Sequence, residues 1–202
     1  MNDAIQLADY LAIAVFAISG ALAAAERRLD IFGFVLFGTI TGVGGGTVRD
    51  LLLDETSIFW IADTHYLWVG IGASVATWFF APLIKSLVQV LVWADGLGMA
   101  LFSVLGALKA QQAGVAPVVS IVMGLMTATF GSILRDTLLN REPVLLGPEI
   151  YATAAVLGAT SFVVLDAVGV PELLAMLIAM GCAFALRACA ILFDLRLPKY
   201  RR

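Results

Sequence analysis

Charge is what this sequence has least of. Asp, Glu, Lys and Arg make up 13% of its 202 residues, about half the share of an ordinary soluble domain, so a water-exposed globular surface cannot be built from it. The 12 basic residues are outnumbered by 15 acidic ones and form no stripe for a polyanion, which excludes nucleic-acid partners. The single histidine, His65, has no neighbouring Cys or His with which to hold a metal. Cys182 and Cys189 are seven apart in one apolar run, so a helix puts them on one face two turns apart. They read as membrane thiols, not as a disulfide or metal framework. No GxSxG, no HExxH and no His beside a nucleophile occurs, so the chain does not read as an enzyme. No resident cofactor is implied.

Apolar residues fill the space that charge leaves, at 61% of the chain with a mean hydropathy of +1.00. A membrane span needs about 20 such residues. Apolar runs bounded by charge, Gly or Pro predict an all-α integral membrane protein of seven spans, over 5–25, 31–53, 64–83, 90–111, 115–140, 149–167 and 171–195. One transmembrane domain, 1–202, accounts for the length. The first run has no basic residue before it and reads as a permanent helix, not a cleaved signal. With the N-terminus outside, Arg27, Arg28, Lys85, Arg141, Arg196, Lys199, Arg201 and Arg202 fall on the inner side and only Lys109 on the outer, the bias of cytoplasmic loops. No Lys stands in the last span, which excludes a retinal Schiff base.

Shifted by 86 residues, the chain repeats itself. Asp9/Asp95, Phe16/Phe102, Gly20/Gly106, Gly38/Gly124, Thr41/Thr127, Gly45/Gly131, Arg49/Arg135 and Asp50/Asp136 all match in one register. Each copy, about 1–86 and 87–170, holds three spans. An odd number turns the second copy upside down relative to the first, so inverted repeats are expected, with the helix of about 171–195 outside them.

Two segments concentrate the unusual residues. GTITGVGGGTVRDLLL places Gly38, Gly42 and Gly46 four apart, and GLMTATFGSILRDTLL places Gly124, Ala128 and Ser132 at matching positions. Small residues at this spacing let helices approach closely. The crowded Gly44, Gly45 and Gly46 favour a broken or kinked helix besides, because each interior Gly costs about 1 kcal/mol of helix propensity, and a break at membrane depth marks a pathway. This run lacks a GK[ST] ending or GxGxxG spacing, so it is not a phosphate loop. Arg49, Arg135 and Arg187 lie within apolar stretches, where ionised groups pair or function. Depth in the expected topology predicts contacts of Asp9 with Arg49 and of Asp95 with Arg135, with Asp50 and Asp136 completing a cluster at each end. Packing clamps without a transport role would look the same. Arg187 is expected to snorkel or pair locally. His65, Trp60, Trp78, Trp93 and Tyr151 read as interfacial anchors near span ends. Acidic residues at the outer loops form a negative rim, and Lys199 to Arg202 a basic topology anchor.

These two motifs, GVGGGTVRDLLL and FGSILRDTLLNREP, in a seven-span chain of this size, resemble the prokaryotic branch of the trimeric intracellular cation channel family over essentially the whole chain. The resemblance implies a homotrimer in a bacterial or archaeal plasma membrane. Each protomer would hold its own potassium-permeable pore between second and fifth spans bent at their glycines. Permeant potassium or sodium ions and membrane lipids, including an ordinary bound phospholipid, are the implied small partners. Carried onto this chain, the bend falls at Gly44 to Gly46 and at Gly131 and Ser132, followed by Arg49, Asp50, Arg135 and Asp136. Hydroxyls can replace an ion's water without a fixed charge, so Thr41, Thr47, Thr127, Thr129 and Ser132 are expected to line the path. FGS in place of GGG in the second copy implies a weaker bend there. The lysine-containing inositol-lipid motif of animal relatives is absent from the spans, so that regulation is not carried over. Some bacterial relatives are described as glycine transporters, which leaves a small-amino-acid carrier working by alternating access as the alternative. A structural or lipid-binding membrane protein is a third class.

Overall fold

A computed structural model of the chain describes residues 3–198; the tail from Lys199 to Arg202, expected to anchor topology, lies outside them. The described residues form helices α1 (Asp3–Glu26), α2 (Ile31–Leu52), α3 (Phe59–Ala62), α4 (His65–Phe80), α5 (Leu87–Gln112), α6 (Pro117–Leu138), α7 (Ala152–Ala167) and α8 (Glu172–Leu192), and no strand is found among them. Six of these elements are long and apolar enough to cross a membrane, α4 with its 3-10 extension to Leu83 included. The 16 residues of α7 give a rod of about 24 Å, short of the ~30 Å hydrocarbon layer. All seven stretches expected to span are helical, with ends within a few residues of those expected. The four-residue α3 was not anticipated.

Local chemistry sets the boundaries. The Asp30 carboxylate accepts from the Gly33 N–H at the start of α2, and Pro117 opens α6 where a missing N–H costs nothing. Arg28, Asp54, Gly114 and Asn140 stop four helices in the left-handed region, and a backbone bond one residue further on, such as Arg141 N–H to Asp136 O at 2.8 Å, closes each stop. Arg28 matches Gly114 and Asp54 matches Asn140 at the shift of 86 residues, so the turn conformations recur along with the letters.

Helices α1, α2, α5 and α6 pack on one another at the centre, with α4 against α1 and α2, α7 against α5 and α6, and α8 outermost on α5 and α7. Phe16 of α1 meets its repeat counterpart Phe102 of α5 with ring centroids 5.2 Å apart, a contact that contributes about 0.5 to 1.5 kcal/mol beyond its area. Between α2 and α6 the backbones touch. A Cβ on Gly45 would overlap the Thr127 carbonyl, and one on Gly131 the Thr41 carbonyl, again the same contact made twice. The expected break is not found, since both helices run uninterrupted through Gly44–Gly46 and through Gly131 and Ser132. Their glycines remove the side chains that would hold the backbones apart.

Ion pairs sort the helix ends into two groups. The start of α1 and the ends of α2 and α5 meet at one end of the bundle, through Asp9, Arg49 and Lys109. The end of α1, the start of α5 and the end of α6 meet at the other, where Arg141 pairs with Glu26 at 2.5 Å and Arg135 with Asp95 at 2.6 Å. Cys182 and Cys189 are free and exposed on α8.

Candidate functional site

The last turns of α2 and α6 each end in Arg-Asp, and each pair is buried. At the α6 end, Arg135 is fully buried with every nitrogen engaged. Nε and Nη2 reach the two oxygens of Asp136 at 2.8 and 3.0 Å. Nη1 donates to Asp95 at 2.6 Å and to the Ser19 hydroxyl, and Ser19 in turn donates to Asp95 at 3.1 Å. A side-on pair completed by a second carboxylate matches guanidinium geometry, and this is the expected Asp95 to Arg135 contact.

The α2 end is built differently. Arg49 places Nε and Nη2 on one oxygen of Asp50, at 2.8 and 2.5 Å, and the other oxygen accepts from the Phe59 N–H at 2.9 Å. The short α3 thus caps this end, with the Phe59 ring 5.7 Å from the guanidinium carbon and seated over Gly46. The expected Asp9 to Arg49 pair is replaced. Asp9 pairs with Lys109 at 2.7 Å, and the ammonium also lies 5.5 and 5.9 Å from the ring centres of Phe59 and Tyr66. Lys109 therefore sits in the last turn of α5, largely buried, and not in an outer loop. Its counterpart in the first copy is Ala23, and that of Ser19 is Leu105. Those two mismatches inside a run of matches were the available signal. A polar cavity of about 250 Å³ opens at this end, lined by Arg49, Asp50, Glu55, Lys109 and Gln112 among others.

The hydroxyls named as lining residues lie between these ends. Thr41, Thr127 and Thr129 are buried and donate to carbonyls four residues back at 2.6, 2.7 and 2.9 Å. Ser132 donates to Thr129 O and meets the Tyr151 hydroxyl at 3.3 Å. Thr47 donates to Val43 O and accepts from the Trp60 indole at 2.9 Å. Gly44 faces Leu134 and Gly131 across the α2 to α6 contact.

Two further expectations are corrected. Tyr151 is fully buried rather than interfacial. Arg187 neither snorkels nor pairs locally, but binds Glu149 at 2.6 Å and Ile150 O at 3.4 Å and lies 5.2 Å over the Tyr151 ring. Its stem crosses α5 at Gly96, where a side chain would crowd it. At the opposite end, Asp63 accepts from the His65 backbone N–H at 3.0 Å and its ring nitrogen at 2.6 Å. Those bonds, the backbone one foremost, hold its carboxyl below the ordinary range.

The sequence model of a family described as "Glycine transporter" matches residues 6–82 and 92–167, two segments that begin at repeat-matched positions. The whole fold superposes on the crystal structure of the trimeric intracellular cation channel orthologue from Rhodobacter sphaeroides with a TM-score of 0.92 and 46% identity, over 95% of this chain and 99% of that one. The chain belongs to the trimeric intracellular cation channel family. A prokaryotic family channel crystallised in 0.5 M KCl gives a TM-score of 0.90 at 29% identity, over 98% of this family member and all of that chain. Among curated relatives, the UPF0126 inner membrane protein YadS of Escherichia coli K12 is 36% identical over 95% of this chain and 94% of its own length. A UPF0126 membrane protein of Vibrio cholerae is 35% identical over 96% of this chain and 82% of its own.

Proposed function

We propose that the chain is a potassium-permeable channel for monovalent cations, working as a homotrimer in a bacterial inner membrane with one path per protomer between α2 and α6. The observation that carries this is the near-complete likeness, at 46% identity, to a solved cation channel of the family. In this reading α7 is the seventh membrane element and the two halves stand inverted about the Phe16–Phe102 and Gly45–Gly131 contacts. The N-terminus lies outside, so Arg49 and Lys109 face the outer end and Arg135 the inner. Hydroxyls and helix carbonyls can replace an ion's water without fixed charge. In the present conformation the Thr and Ser hydroxyls of the path are turned to their own helices, so conduction requires α2 and α6 to part at Gly45 and Gly131. No ring of repeated carbonyl sites like that of a selective filter occurs in the sequence, so discrimination among monovalent cations is modest.

The second reading, a carrier of glycine, is favoured by the description attached to the matching family model. Single-channel recording of the purified protein in a planar bilayer under a potassium chloride gradient separates them. Discrete openings that reverse near the potassium equilibrium potential are expected. Electrical silence together with saturable glycine counterflow in liposomes would establish the carrier instead.

A further inference from the structure

A second cavity, of about 530 Å³, lies at the other end of the bundle, walled by the end of α1, the start of α2, the end of α4 and the start of α5. Phe34 and Trp78 meet edge to face inside it, with ring centroids 4.8 Å apart, and Leu87 adds a further apolar wall. Phe79 and Pro82 on its rim are exposed, so it opens on the outer surface of the bundle. Arg28 is the one charged side chain that lines it. That guanidinium is exposed and makes no ion pair or side-chain hydrogen bond among the described residues. The acids two residues to either side are engaged elsewhere, Glu26 by Arg141 and Asp30 by the Gly33 N–H. Lys85, two residues before Leu87, is likewise exposed and unpaired among the described residues.

The second copy of the repeat builds the same corner from different residues. Gly114 stands for Arg28, Ser120 for Phe34, Val164 for Trp78 and Pro171 for Lys85. Arg28 and Gly114 share a left-handed backbone, with φ of 54° and 76°, which glycine adopts freely and arginine only at a cost. Stopping the helix therefore does not call for an arginine. The first copy alone carries the cation, the second basic residue and the aromatic walls. A cation at the rim of an apolar cleft fits a molecule with an anionic head and a hydrocarbon tail. In the orientation proposed above, this end meets the cytoplasmic leaflet, whose surface is anionic and where basic pockets between helices receive acidic headgroups.

We infer that this cleft is a site for one anionic phospholipid, its phosphate on Arg28 with Lys85 close by and an acyl chain against Phe34, Trp78 and Leu87. The site does not depend on what crosses the protein, and only the choice of leaflet rests on the proposed orientation. Native mass spectrometry of the delipidated full-length protein in detergent tests it, by titration with phosphatidylglycerol or with phosphatidylcholine of the same acyl chains. One phosphatidylglycerol retained per chain is expected, held about tenfold more tightly than phosphatidylcholine, the worth of one charged hydrogen bond. Arg28→Gly installs the residue of the second copy, so it removes that preference without lowering the melting temperature. Arg27→Gln takes away the same charge one residue earlier, outside the cavity lining, and keeps the preference. Quenching of tryptophan fluorescence by brominated phosphatidylglycerol reads the tail, and Trp78→Phe should remove a share of it. Equal retention of the two lipids, an unchanged preference in Arg28→Gly or an equal loss in Arg27→Gln would each overturn the site. Displacement of the lipid by millimolar inorganic phosphate would make it a free-anion site instead. Quenching that Trp78→Phe leaves unchanged would mean that something other than lipid, such as a second copy of the chain, covers the cleft. Each of these results leaves the channel reading intact.

Discussion

Gly45 and Gly131 decide how closely α2 and α6 meet, and each does so against a carbonyl that cannot yield. Gly45→Ala and Gly131→Ala should therefore each destabilise the protein by about 1 to 3 kcal/mol, the range for overpacking, read as a lowered melting temperature in detergent. Gly72→Ala is the control, because nothing lies within 4 Å of its added carbon and helix propensity favours Ala by up to about 1 kcal/mol. Equal melting of all three variants would contradict the close contact. At this scale the sequence was partly legible. Identity and register picked out the Arg-Asp pairs, Asp95 against Arg135 included, since depth in a helix follows from residue count. The partner of Asp9 did not follow, because Lys109 lies outside the matched letters and pairing depends on which of two cations reaches one carboxylate.

Among the long helices, α8 is the one with no counterpart at the shift of 86 residues, and Arg187 ties it to the loop before α7. Arg187 is almost wholly buried, whereas its partner Glu149 is 46% exposed. Removing either should not cost the same. Glu149→Ala strands a buried cation, for about 3 kcal/mol; Arg187→Met leaves a carboxylate that water can solvate, for about 1 kcal/mol. Chemical denaturation of both variants and of the double mutant measures the difference, and a larger loss for Arg187→Met would reverse the argument. Helix positions were legible because apolar runs of this length admit little else. The four residues Phe59–Ala62 were not, since one turn carries no periodicity and its place depends on Asp50 accepting the Phe59 N–H. Nor was the buried place of Tyr151, which lies in the core beneath an arginine 36 positions away in the chain.

For the whole molecule, the distribution of Lys and Arg predicts which way it faces. Alkaline phosphatase fused ahead of the N-terminus should be active, and green fluorescent protein fused after the C-terminus should fluoresce, in a bacterial inner membrane; the reverse pattern would turn the Arg49 end toward the cytoplasm. The positions of the long apolar helices could be read from composition, but the unequal ends could not, because they arise from packing one half on the other. Lys109 belongs to the second half and neutralises Asp9 of the first, while Ser19 of the first completes the shell of Arg135 in the second. Each half therefore carries a socket that only the opposite half can fill. A chain cut in the loop between α4 and α5 would yield two fragments, each with an unmatched buried charge and each with a strong reason to find the other, so the halves should reassemble as a heterodimer when made as separate chains.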